Sequence, residues 1–451
     1  MKEEIRYLSL CGMLGYGYAA ESLENALKLP LDFIGVDAGS TDPGPYYLGS
    51  GKGFVKRLQV KRDLSLVMKT AVTKKIPLII GSAGGSGARP HVESVLEILR
   101  EIAREQKFSF RAAVLYSDVS KEFLKTAAEG HLFSCGGSPE PQLIDLENLT
   151  HSVAQFGTDP IIAALETGAD VIVSGRCCDT AIFAALPIYR GFPPGLALHA
   201  AKIAECGALC ARPVGANDSL VVTLRKDSFT VEPPNPIRKC TPDSVAAHSL
   251  YEQPDPECFY EPEGKIDMRE CVFTQSGERA VTVSGTVLVP ASPKTTKLEG
   301  AVCRGFRSIT VAGVRDPVAV ASLDAIEKGV REAVASNLAG VLRPDEYTLR
   351  FLRYGVDGVT GLNEPPPAEL PREAGLVIEA IAPTQELADT VLSLARSSAL
   401  HQAFPNRKAT AGNLAFPFSP SDFRGGEVYE FALYHLTDLP LEFKPELMVI
   451  E

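Results

Sequence analysis

The sequence has no tryptophan, five methionines and seven histidines in 451 residues, and it contains no run rich in lysine or arginine. The missing tryptophan excludes nothing about function. The missing basic run does, because 45 Lys and Arg stand against 56 Asp and Glu for a net charge of −11. Sequence-independent nucleic-acid binding needs a basic face to neutralise phosphates, and anionic membranes attract polybasic segments, so neither partner is expected. No apolar stretch approaches the ~20 residues that a bilayer span requires. The acidic start, Met1-Lys2-Glu3-Glu4, leads straight into a strand-like run, and a cytoplasmic protein is expected.

Three further absences narrow the chemistry. No Cys-x-x-Cys occurs among the ten cysteines, which are read as reduced, mostly structural thiols. The histidines show no His-x-x-x-His pair, so spacing offers no zinc site. The glycine-rich loop Gly81–Ala88 is not followed by Gly-Lys-Ser/Thr and lacks the strict Gly-x-Gly-x-x-Gly order, which excludes a Walker A loop and a strict dinucleotide fingerprint.

What is present is a globular composition, 45% hydrophobic and 22% charged, with 38 glycines and 33 prolines. Disorder, collagen and coiled coil are excluded. Short apolar runs alternate with helical spacing through the first two hundred residues: strands over 5–10, 31–36, 77–80, 111–116 and 170–174, with helices over 21–29, 63–74, 91–104, 120–128 and 159–167. That alternation predicts an α/β fold with a mostly parallel sheet flanked by helices, and ligands in such sheets bind at the carboxyl ends of the strands. The pattern changes near residue 215. Two lobes are expected, an α/β domain over 1–215 and a second α/β or α+β domain over 216–451 that completes the site.

Four loops carry candidate chemistry. Gly84, Gly85, Ser86 and Gly87 follow a strand and open a helix, where amides and the positive helix end suit a phosphate or carboxylate; the alternative is that the glycines only permit tight packing. Asp37 and Asp42 lie in the turn Asp37-Ala38-Gly39-Ser40-Thr41-Asp42, which suits a general base or part of a hard-cation site, or else an Asx turn. Arg176 and Asp179 in Gly175-Arg176-Cys177-Cys178-Asp179 suit a substrate carboxylate clamp and a proton-moving group, or a buried pair that ties down the loop. Asn413 and Ser421 lie in the turn-rich segment 409–422 and are candidate substrate contacts. Cys177 or Cys178 as nucleophile is a lesser alternative, with no histidine nearby in sequence to activate it.

The order of these motifs, with a glycine loop after the first strand, Gly-Arg-x-x-Asp at a later strand end, a helix ending Glu205-Cys206-Gly207-Ala208 and the late Thr410-Ala411-Gly412-Asn413, resembles the acyclic terpene utilisation (AtuA-like) family over nearly the whole chain. The family's usual Gly-x-x-x-Gly-Asp is replaced by Leu14-Gly15-Tyr16-Gly17-Tyr18. The resemblance implies a catabolic protein acting near small carboxylates, and a small companion domain as a partner subunit. With the loops, it leads us to expect a lyase of the hydratase or dehydratase type acting on a small carboxylate or its CoA thioester. A half-site subunit and a cysteine hydrolase are the alternatives. The cofactor is unknown, with a divalent cation held by the carboxylates left open, and a homo-oligomer is expected on general grounds.

Overall fold

The computed structural model describes residues 3–136, 140–215, 217–361, 369–408 and 410–451. Ala409, at the head of the turn-rich segment, lies outside them. The described chain divides into two compact units, Met1–Val302 with Phe431–Glu451, and Cys303–Glu430.

The first unit is built on five parallel strands, β1 (Ile5–Ser9), β2 (Phe33–Asp37), β3 (Leu78–Gly81), β4 (Phe110–Leu115) and β5 (Val171–Ser174), side by side in the order β1-β2-β3-β5-β4. Every residue of β2, β3 and β5 is buried, as expected of strands covered by helices on both faces. The period of two sorts their side chains. Ile5, Tyr7, Phe33 and Ile79 join a core with helices Thr158–Glu166, Asp179–Tyr189 and Pro194–Ala204. Leu8, Ile34, Leu78 and Ile80 face helices Arg57–Thr73 and Arg89–Gln106.

The sheet does not end there. Leu220–Leu224 adds antiparallel to β1, followed outward by Ser228–Glu232, Ala280–Ser284 and Val272–Ser276, while Glu446–Ile450 adds antiparallel to β4. The result is a mixed ten-stranded sheet in which only the five central strands run parallel. The two lobes expected from sequence therefore differ in extent from the compact units, because four strands within residues 220–284 extend the first sheet instead of leaving it. The hairpin over 217–231 is legible locally, but its pairing with β1 is a contact across more than two hundred residues.

The second unit is α+β. Residues 306–314 of the strand Thr296–Val314 pair antiparallel with Ala374–Ala382, which pairs with Thr348–Tyr354. Helices Leu323–Asn337 and Gln385–His401 bury Val330, Val334, Val391 and Leu392 in one core. Thr384 caps the second helix by accepting from the Leu387 amide, as the Pro383-Thr384 signal predicts.

Gly35 in β2 shows how closely the helical layer approaches the sheet: a Cβ there would lie 2.5 Å from Cε1 of Phe183, whose ring also stacks on Tyr7. Gly35→Ala is expected to destabilise the protein by about 1–3 kcal/mol through overpacking. Gly168→Ala, with φ of +67° and nothing within 4 Å, isolates backbone strain of about 1 kcal/mol. Urea unfolding of both variants checks this, and a Gly35→Ala protein as stable as wild type would contradict the packing.

Candidate functional site

The carboxyl ends of β2, β3, β4 and β5 lie side by side, and the loops leaving them touch backbone to backbone. A Cβ on Gly39 would meet Cα of Gly85 at 2.5 Å, and one on Gly87 would meet the Arg176 amide nitrogen at 2.1 Å. Two serines fasten the loops. The Ser117 hydroxyl accepts from the Arg176 amide at 2.7 Å and donates to the Gly87 carbonyl at 3.0 Å. Ser82 Oγ accepts from Arg176 Nη1 at 3.2 Å and donates to the Cys177 carbonyl at 3.2 Å. Gly84, Gly85 and Gly87 all have positive φ, and a Cβ on each would fall within 3 Å of His91, Phe54 or Arg176. Their primary role in this geometry is to let the loops pack. Ser86 Oγ is buried with no hydrogen-bond partner.

Arg176 is buried at the centre. Its Nε bonds Glu299 Oε2 at 3.0 Å, and its Nη1 reaches the Cys177 carbonyl at 3.1 Å and Asp179 Oδ1 at 3.5 Å. Those donors face protein, which matches the loop-tying alternative better than a clamp open to substrate. Glu299, fully buried, is shared three ways: its Oε1 also accepts from Thr41 at 2.9 Å and pairs with Lys297 Nζ at 2.8 Å. Burial pushes its carboxyl up, but Arg176 and Lys297 outweigh that and hold it at about 2. Sequence reasoning missed Glu299 and Lys297. The signal was a Lys-x-Glu pair on one face of an otherwise apolar strand start, since residues two apart in a strand share a face.

Around this network sit carboxyls displaced the other way. Asp37, at the end of β2 and buried, is raised well above the usual range by burial and then by Asp179. Asp179, the first residue of its helix and 31% exposed, is raised by burial, with Arg176 opposing and Asp42 adding to the rise. Asp42 itself is exposed and accepts from Ser40 Oγ at 2.8 Å, a local turn contact of the kind expected as its alternative role. Lys202 and Glu205 pair at 2.6 Å with side chains 8% exposed; Glu205 is pulled up by burial. Glu261 accepts from the Cys178 thiol at 2.8 Å and Thr180 at 2.7 Å, and burial raises it to about 7.

A pocket of about 570 Å³ opens beside these groups, within the range of small-molecule sites. Tyr260, Pro262, Val289, Pro290 and Leu436 make its apolar wall, and Lys297, Lys265, Glu261, Cys178, Gln155 and Thr295 supply its polar groups. Lys297 and Cys178 thus join the pocket to the network, one through Glu299 and the other through its neighbour Asp179. Among the described residues, no group of three or more His, Cys, Asp or Glu is arranged to hold a metal ion.

The other expected contacts belong to the second unit. The Asn413 side-chain amide donates to the Ala399 and Gln402 carbonyls at 3.0 and 2.9 Å, closing the end of helix Gln385–His401. Ser421 Oγ donates to Asp422 Oδ1 at 2.9 Å. The first loop, which lacks the aspartate of the family pattern, receives one from elsewhere: buried Asp63 accepts from the Gly15 and Gly17 amides at 2.8 and 3.0 Å.

A family model described as acyclic terpene utilisation family protein AtuA matches residues 49–217 and 228–412. The match takes in Gly84–Gly87, Arg176, Asp179, Lys297 and Glu299, and leaves Asp37, Asp42, Asn413 and Ser421 outside it. Searches of curated proteins and of solved structures returned no match.

Glu299→Ala is expected to cost about 3–5 kcal/mol in urea unfolding at neutral pH, because buried Arg176 and half-buried Lys297 lose their shared counter-charge. The pH dependence has a definite sign. A carboxyl held at about 2 when folded, against an ordinary 4.5, contributes stability that is complete above about 4.5 and is lost as pH falls towards 2. Glu261, raised to about 7, acts oppositely: its contribution is lost as pH rises from about 4.5 to 7. Denaturation between pH 2 and 5 should show a shallower slope for Glu299→Gln than for wild type, and equal slopes would refute the assignment.

Proposed function

The chain belongs to the acyclic terpene utilisation family, and from that membership and its strand-end carboxyls we propose a cytoplasmic catabolic lyase of the hydratase or dehydratase type, acting on a small carboxylate or its CoA thioester. The observation that carries the reading is the pair Asp37 and Asp179 at the strand ends, both raised chiefly by burial, Asp37 further by Asp179 and Asp179 further by Asp42. A carboxyl raised by burial keeps its proton to higher pH than an ordinary one, which suits it to deliver and take back a proton. Addition of water across a carbon–carbon double bond conjugated to a carbonyl needs one group to take a proton from water and another to deliver one to the α-carbon; elimination is the reverse.

In this reading Asp179, the more open of the two, exchanges protons with substrate and water, and buried Asp37, which Asp179 pushes up, is the second group that holds a proton. The Lys297 ammonium meets the substrate's carboxylate or carbonyl oxygen in the pocket, and the apolar wall takes the carbon chain. Arg176 and Glu299 act as positioning residues: they hold the loop before Asp179 and orient Lys297. Gly84–Gly87 supports the site chiefly through the loop packing that places Arg176, with Ser86 as its remaining polar contribution to an anion. The thiol alternative gains no support from the geometry, because burial pushes Cys177 up to about 11 and Cys178 upward as well, leaving neither as thiolate at neutral pH.

One observation favours the half-site alternative. Tyr260 and Val289, on the pocket wall, are 74% and 50% exposed, so a small companion subunit or a second copy of the chain has an apolar rim to cover. If the isolated chain turns substrate over at ordinary rates, that alternative fails.

Screening unsaturated and hydroxylated short-chain carboxylates and their thioesters should identify a substrate. On it, Asp179→Asn is expected to lower kcat by about 10²–10⁴ with unchanged folding, and Lys297→Met to raise KM more than it lowers kcat. Wild-type kinetics in Asp179→Asn would remove the proton-transfer assignment. Iodoacetamide at pH 7 is expected to leave turnover intact, and rapid inactivation would restore the cysteine route.

A further inference from the structure

A second pocket in the first unit, of about 460 Å³, shares no lining residue with the first. In a chain of net charge −11 it is lined by four cations, Arg212, Arg238, Lys239 and Arg279, and one carboxylate, Glu278, with Ile237 and two prolines completing it.

The cations differ in how they are held. Arg279 is fixed to the wall, donating from Nη1 to the Asn235 carbonyl at 2.7 Å and pairing through Nη2 with Glu232 at 2.9 Å. Arg238 lies 3.5 Å from Asp218 through Nε. Arg212 and Lys239 have no carboxylate partner among the described residues, and both are exposed. They are also directly opposite each other in the antiparallel ladder that pairs Ala211–Arg212 with Lys239–Cys240, so their side chains leave on the same face. Like charges in that relation destabilise a ladder. A two-residue ladder has little else to offset the repulsion, and a bound anion removes it.

The size of the pocket exceeds what a bare ion fills, and Ile237 is 75% exposed beside the two prolines, an apolar ledge next to the charge. We propose that this pocket binds a phosphorylated small molecule, with the phosphate oxygens on Arg212 and Lys239, the two anchored guanidiniums completing the charge, and the organic part against Ile237. Arginine forks and a lysine point charge are the usual partners of such phosphates. A free inorganic phosphate offers the same charge without the organic part, and the two sources separate experimentally.

The test uses the full chain, with pyrophosphate and ADP as probes, in calorimetric titration and thermal melts at constant ionic strength held by chloride. Both probes are expected to bind and raise Tm, ADP at least threefold more tightly than pyrophosphate. Arg212→Gln combined with Lys239→Gln should weaken both probes at least tenfold, yet melt no lower than wild type without ligand, since the repulsion has gone; this separates lost binding from lost folding. Ile237→Ser should weaken ADP alone. Absence of binding by either probe, or unchanged affinity in the double variant, overturns the site. Equal affinity for the two probes, untouched by Ile237→Ser, overturns the phosphorylated-molecule assignment in favour of an inorganic anion.

Discussion

A single buried carboxylate, Glu299, is the constraint on which the strand-end region depends. It lies among Arg176, Lys297 and Thr41, and each partner belongs to a different segment of the chain. Thr41 comes from the loop after β2, Arg176 from the loop after β5, and Lys297 from the start of the strand that carries Glu299 itself. A charge taken out of water is costly unless its partners are close and its lone pairs are filled. Here both oxygens are engaged, one by the guanidinium and the other by a hydroxyl and an ammonium. The desolvation cost of Arg176 is met by the same contacts, so the loops cannot separate without exposing two or three unmatched charges.

Because Arg176 is fixed from behind, the next three residues of the chain are fixed too. Cys177 donates its amide to Ser82, Cys178 reaches Glu261, and Asp179 begins a helix whose interior is buried throughout. Around the remaining carboxyls burial outweighs the cations that reach them, Arg176 at Asp179 and Lys202 at Glu205. This is why one carboxylate in the region is held at about 2 while its neighbours rise. Burial raises all of them, and only at Glu299, where Arg176 and Lys297 both bond the carboxylate, do the cations outweigh it. Acid–base chemistry needs that kind of split between nearby groups.

The parts legible in sequence were those governed by local rules. The β1 to β5 alternation came from apolar runs of four to six residues, and the helix Gln385–His401 from its spacing and the Thr384 cap. The strand-end positions of Asp37, Arg176 and Asp179 were legible because each stands close to glycine at the end of such a run. Asp42, Asn413 and Ser421 carried equally suggestive neighbours, yet in the structure their side chains complete turns and helix ends, which are also local tasks for the same residue types. Composition and spacing cannot separate the two uses. The extension of the sheet by residues 220–284 and 446–450, and the position of Glu299, depend on pairings between distant segments, to which periodicity is blind.

Glu299 also explains why the glycine loop reads two ways. A loop of Gly84, Gly85, Ser86 and Gly87 before a long helix has the amides to bind an anion, and its glycines have the positive φ that such a loop requires. But the atoms that a Cβ would strike there are protein atoms, the Arg176 backbone foremost. The Gly87 carbonyl and the Arg176 amide both end on Ser117, so the loop's close approach serves to seat the arginine that Glu299 requires. The cations that line the adjoining pocket are Lys297, which belongs to the network, and Lys265. Glycine at these positions and charge at residues 297 and 299 are therefore one structural solution, in which close loop packing makes it possible to bury an arginine against Glu299 while Lys297, paired with the same carboxylate, stays at the pocket wall.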